Sequence, residues 1–177
     1  MKKGIPYWQV VGFVFAAVVG TLLHFFFDWT GGSAAAALFS AVNESIWEHL
    51  KLLYYPMLLF ALAEWKHWGK KVEGFWCIKL LGILLGLGLI VVVYYTYTGV
   101  LGMSADWFNV AIFFLAAGVV FWVETKLFQR NFCCPVGSGL SLLFIGLIAI
   151  AFTVVTFLPP HLPLFQDPVS GSYGFFG

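Results

Sequence analysis

Nine consecutive positions, Asn43-Glu44-Ser45-Ile46-Trp47-Glu48-His49-Leu50-Lys51, hold two carboxylates, an imidazole, an ammonium and a hydroxyl. They sit in a chain of 177 residues of which only 10% are charged. At helical spacing Glu44 and Glu48 share a face with Lys51 one turn further on, and Ser45 and His49 form a second i,i+4 pair beside them. Imidazole and carboxylate together suit Zn, Fe or Mn, and three such ligands with one open position let the ion activate water. His24 and Asp28 form another i,i+4 pair. The candidate metal ligands are therefore His24, Asp28, Glu44, Glu48, His49 and His161. Glu48, His49 and Ser45 are the candidate catalytic groups, with Ser45 and His49 spaced as a nucleophile and its base. Asn43 suits an N-cap, and Asn43, Lys51, Asp106 and Asp167 complete the polar set. Neither His-Glu-x-x-His nor Glu-x-x-His occurs, so no metalloenzyme signature is present. The competing reading of the same residues is an ion-pair network, Lys51 with Glu44 or Glu48 and His24 with Asp28, that ties helix ends together.

The elements that must position these groups are membrane helices. The chain is 62% hydrophobic, with mean hydropathy +0.95, and a soluble domain is nearer a quarter charged. A net charge of +1 without a basic stripe excludes nucleic-acid binding. The pattern predicts an all-α integral membrane protein, a five-helix transmembrane bundle. Its helices run over about 7–27, 43–64, 74–102, 107–123 and 138–158, forming a single domain over 1–158. Residues 159–177, rich in proline, are expected to form an extended strap on the outer face. Leu52–Ala63 is too short to cross alone, so the second helix must draw in Asn43–Lys51 and carry Glu48, His49 and Lys51 below the membrane surface. Pro56 is expected to kink it. Residues 34–42 are either a Ser33-capped helical segment or a re-entrant one, and Asp106 is expected to cap the fourth helix. Gly82 and Gly86 read as helix packing, and Tyr94, Tyr95 and Tyr97 as an interfacial belt.

Loop charge sets the orientation. With five crossings Lys2, Lys3, Lys66, Lys70, Lys71, Lys126 and Arg130 all fall on one side, which the positive-inside rule makes cytoplasmic. The N-terminus is then inside and the C-terminus outside. His24, Asp28, Glu44, Glu48, His49, Asp106, His161 and Asp167 gather at the opposite end. Cys133 and Cys134 face the cytoplasm and are expected to be free thiols, with Cys77 a packing residue. Lys79, deep in the third helix, is expected to snorkel or to pair with Glu124.

Three functions fit this arrangement. The leading one is metal-assisted hydrolysis of a lipid or small outer-leaflet substrate, with a divalent metal such as Zn as cofactor. The second is transport of a small solute, a cation or a proton-coupled substrate through buried Glu48, His49 and Lys51. The third is a structural membrane protein whose partners are the bilayer and a second copy of the chain. In composition alone, Ser45, Asp28 and the histidines resemble the membrane hydrolases of the alkaline-ceramidase and adiponectin-receptor superfamily, which differ in helix number and motif order. A wider resemblance rests on Leu23-His24 with Asp28, on Asn43-Glu44-Ser45-x-Trp47-Glu48-His49-Leu50-Lys51, and on Pro159-Pro160-x-x-Pro163-Leu164-Phe165-x-Asp167-Pro168 followed by Gly171-x-Tyr173-Gly174. Over essentially its whole length the chain resembles a family of small bacterial multi-pass membrane proteins of unknown function. That resemblance implies a bacterial cytoplasmic membrane protein and carries no catalytic role.

Overall fold

The computed structural model describes residues 4–130, 132 and 134–176. Lys2, Lys3 and Cys133, which enter the charge and thiol readings above, lie outside the described residues. The helices are α1 (Ile5–Trp29), α2 (Ala34–Ala37), α3 (Ile46–His67), α4 (Phe75–Leu101), α5 (Asp106–Gln129) and α6 (Ser138–Phe157). Four of them, α1, α4, α5 and α6, are long and apolar enough to cross a membrane. The chain is therefore a membrane protein by the length and composition of its helices.

The charged helix α3 is packed into the middle of the bundle, against α1, α4 and α6. Leu50, Leu53, Tyr54, Met57, Phe60 and Ala61 are buried along it. Toward α3 and α5, α1 offers a stripe of small residues, Gly12, Ala16 and Gly20, while Val10, Val14, Val18 and Leu22 stay exposed on its outer side. In lipid, helices gain little by burying apolar surface against each other, and small residues that let backbones approach give the contact instead.

Pro56 lies inside α3, which runs through it as one helix. Proline has no N–H, so the carbonyl of Leu52, four residues earlier, loses its helical donor. That oxygen sits against Gly20, where a methyl group would come within 2.5 Å of it. A glycine at this position lets α1 close over the freed carbonyl and keep lipid away from it.

Several expectations are corrected at the ends of elements. Residues 34–42 hold only the four-residue helix α2 followed by turns, too short for a re-entrant half-helix. The second long helix starts at Ile46, not Asn43, because Ser45 is its N-cap and accepts from Glu48 N at 3.4 Å. Asn43 acts one step earlier, its Oδ1 accepting from Ser45 N at 3.0 Å. Asp106 is the first residue of α5 and makes no cap; Ala105 holds the N-cap position. Tyr97 bonds Asn109 and Ser104 and so fastens the α4–α5 turn.

Cys77 and Cys134 form a disulfide, with Cα atoms 6.2 Å apart. The free-thiol expectation for Cys134 and the packing role for Cys77 are both overturned. The loop after α5 folds back over the start of α4, where Gly74, at φ +72°, brings its backbone beside the Cys134 side chain. With the two cysteines 57 positions apart, no local spacing announces the pair.

Candidate functional site

The turns after α2 hand the chain to Ser45, whose extended backbone starts α3 and whose hydroxyl faces inward at 1% exposure. One turn on, the His49 ring places Nδ1 2.9 Å from the Ser45 carbonyl oxygen. A carbonyl only accepts, so Nδ1 carries a hydrogen, and in the neutral ring Nε2 is the nitrogen with a free lone pair. Nε2 lies 3.4 Å from the Glu44 carboxylate. From the last turns of α1, His24 brings Nε2 to 3.9 Å from the other Glu44 oxygen, and the two imidazole rings lie 5.3 Å apart. One donor atom from each of His24, Glu44 and His49 lies within 4.8 Å of the others.

These distances fit a metal centre. Ligands bound at ~2.05 Å with tetrahedral angles stand about 3.3 Å apart, so small side-chain rotations close the set. A second observation agrees for one ligand: Nδ1 of His49 is held by a backbone carbonyl, the usual way a protein orients a ligating imidazole, whereas Nδ1 of His24 is buried without such a partner. Glu44 is half exposed, which leaves an approach from the surface.

The other residues singled out in the sequence go elsewhere. Glu48 turns into the bundle and is 1% exposed. It pairs with Lys51, accepts from Thr156 Oγ1 at 2.8 Å, and accepts from Val42 N at 3.1 Å. Lys51 also donates to the Ala37 carbonyl at 2.9 Å and to Thr156 Oγ1 at 3.0 Å. Every polar atom of this pair therefore has a partner, and the arrangement welds α3 to α2 and α6. Of the expected ion pairs, Lys51–Glu48 forms, whereas the His24 imidazole comes to 3.9 Å from Glu44, and Asp28 is exposed. The Ser45 hydroxyl accepts a helix N–H while His49 addresses the Ser45 carbonyl, so the two do not align as nucleophile and base.

Among the described residues, the tail contributes support and none of the three convergent donor groups. His161 is exposed and packs edge-on to Tyr173 at 4.7 Å, away from the histidine pair. Asp167 is buried in a turn of its own, accepting from Val169 N at 2.8 Å and from Ser170 Oγ at 2.7 Å. Asp106 is exposed at the start of α5. Asn43 Nδ2 donates to the Gly174 carbonyl at 3.3 Å, and Phe175 N donates to the Thr156 carbonyl at 2.8 Å. The tail thus fixes the residue just before Glu44 and, through Thr156, the neighbourhood of Glu48. Gly174, at φ +60°, is needed there, because a Cβ would come within 2.5 Å of the Thr156 carbonyl oxygen.

Sequence reasoning missed Thr156 and Gln9. Gln9 is the one amide in the apolar run of α1, and a polar side chain in such a run is the available signal. It leads to a second buried cluster, Gln9, Glu64, Lys79 and Glu124, near the other end of the bundle. Lys79 pairs with Glu124 as expected, and with Glu64 as well.

No curated protein and no solved structure matches the chain. A family model does match, over residues 2–175, nearly the full length. The chain accordingly belongs to DUF6512, a family of unknown function.

Proposed function

We propose that the acidic end of the bundle is a divalent-metal centre with His24, Glu44 and His49 as ligands, and that it serves hydrolysis of an ester or phosphoester at the outer surface of a bacterial cytoplasmic membrane. The observation that carries the proposal is the convergence of two imidazoles and a carboxylate from α1, the α2–α3 turn and α3 within 4.8 Å. Two histidines and a glutamate with a free position are a donor set found in zinc hydrolases. When bound, the ion would supply Lewis-acid polarisation and an activated water. The chain's own part is to fix the His49 tautomer through the Ser45 carbonyl and to leave the exposed side of Glu44 open to a headgroup.

The topology in this proposal has α3 as a fifth crossing. Its charges are matched inside the bundle, Lys51 to Glu48 and Glu64 to Lys79, which offsets much of the cost of carrying them through lipid. Loop charge then favours the basic end in the cytoplasm and the His24–Glu44–His49 cluster outside. The transport reading gains no support from Glu48 and Lys51, which saturate each other's hydrogen bonds.

The test is metal content. Protein purified without added chelator is expected to carry zinc in equal amount to the chain, and His49→Ala or Glu44→Gln to lose it while remaining folded. Hydrolysis of phospholipid or small ester substrates is expected to disappear with the metal and return on its addition. Wild-type protein that takes up no zinc, iron or manganese at micromolar concentration refutes the proposal.

A further inference from the structure

The second buried cluster has a charge surplus that nothing in the metal proposal uses. Glu64 on α3, Lys79 on α4 and Glu124 on α5 are each at most 2% exposed, and Gln9 on α1 joins them at 2%. Two carboxylates surround one ammonium. Fully ionised, the site would hold an uncompensated negative charge inside four membrane helices, which the low dielectric strongly disfavours.

The hydrogen bonds say where the surplus is relieved. Glu64 accepts from Gln9 Nε2 at 2.7 Å on Oε1, and its Oε2, which has no hydrogen-bond partner, faces the Lys79 ammonium as an ion pair. Glu124 has Lys79 Nζ at 2.5 Å on Oε2, but its Oε1 is buried with no donor. An ionised carboxylate accepts only, so a bare buried oxygen marks the acid that is not ionised. Gln9 Oε1, also buried and unpartnered, is the acceptor the network has to spare for an acid O–H. There is room for a proton and little more. The rings of Phe75, Phe121 and Phe128 lie 5.5–5.7 Å from the Lys79 nitrogen, and at Gly82 a methyl group would collide with the Glu124 carboxylate.

We propose that Gln9, Glu64, Lys79 and Glu124 form a proton-binding site inside the bundle, with the exchangeable proton on Glu124 Oε1. Other ionisable groups on the packed elements stand outside it. His67 is exposed and edge-on to Trp8, Lys70 lies over Trp65, Lys126 lies over Trp122, and Lys66 and Arg130 are exposed. Release of the proton leaves a net charge where α1, α3, α4 and α5 meet. Occupancy is thereby coupled to how those four helices pack.

Infrared spectroscopy of the purified chain in lipid nanodiscs tests this directly. Wild type at neutral pH is expected to show the carbonyl stretch of a protonated carboxylic acid, shifting in D2O. Glu124→Gln removes the acid, and Glu64→Gln removes the surplus so that Glu124 ionises against Lys79. Both variants are therefore expected to lose the band while keeping their helical circular dichroism. If one variant fails to fold, the other reads the same surplus. Absence of the band in wild type overturns the proposal, as does its persistence in both variants. A wild type without the band but stabilised by sodium over potassium would identify a metal cation in place of the proton, and would also overturn it.

Discussion

At the scale of single residues, the polar side chains of this protein divide by how completely they are partnered. Glu48 and Lys51 were prominent in the sequence because charges inside an apolar stretch demand an explanation. In the fold that explanation is mutual satisfaction, with Thr156, Val42 and Ala37 supplying the remaining bonds. Removing one partner strands the other, so Glu48→Gln and Lys51→Met are each expected to cost about 3–5 kcal/mol. The double variant is expected to recover a large part of that loss, as read by thermal unfolding in detergent. Additive losses in that double-mutant cycle would contradict the pairing. His24, Glu44 and His49 belong to the opposite class, close together yet incompletely bonded. The sequence placed all three in one polar set but could not separate them from Glu48 or His161, because helical spacing gives a face and says nothing about which rotamer turns inward.

At the scale of elements, the helices themselves were readable from the length of apolar runs. Their contacts were not. The Gly82–Gly86 pair was recognised as a packing motif, and it does admit neighbouring side chains closely, Leu53 and Val120 at Gly86. The stripe Gly12–Ala16–Gly20 on α1 carries the same spacing, and the need for glycine at its last position rests on Pro56 in a different helix, a relation no local pattern encodes. Overpacking typically costs 1–3 kcal/mol. Gly20→Ala is therefore expected to destabilise the α1–α3 contact by about 2 kcal/mol, and Gly20→Leu to prevent assembly, measured as loss of the folded fraction after reconstitution. A tolerated leucine at this position would show that α1 does not lie against the Leu52 carbonyl. The disulfide was equally invisible, since it depends on a loop folding back over the start of another helix.

At the scale of the whole molecule, two physical markers bear on orientation and they pull in different directions. Lys66, Lys70, Lys71, Lys126 and Arg130 cluster at one end of the bundle, which favours the cytoplasm. Cys77 and Cys134 are bonded at that same end, and disulfides persist mainly in oxidising compartments. With the basic end in the cytoplasm, the Cys77–Cys134 bond faces a reducing compartment, and mild reduction is expected to open it to two thiols. A membrane-permeant maleimide should then label them in intact cells and an impermeant one should not, while a reporter fused to the C-terminus should read as external. Labelling by the impermeant reagent after mild reduction would reverse the topology and place the histidine cluster inside.

The bond from Asn43 to Gly174 spans 131 positions of chain. During synthesis, the turn bearing Glu44 therefore reaches the membrane long before the residue that steadies it has been translated. The candidate membrane spans α1, α4 and α5 can be inserted while the turn bearing Glu44 still awaits its anchor. The turn that carries Glu44 is therefore steadied only after the earlier helices are in place.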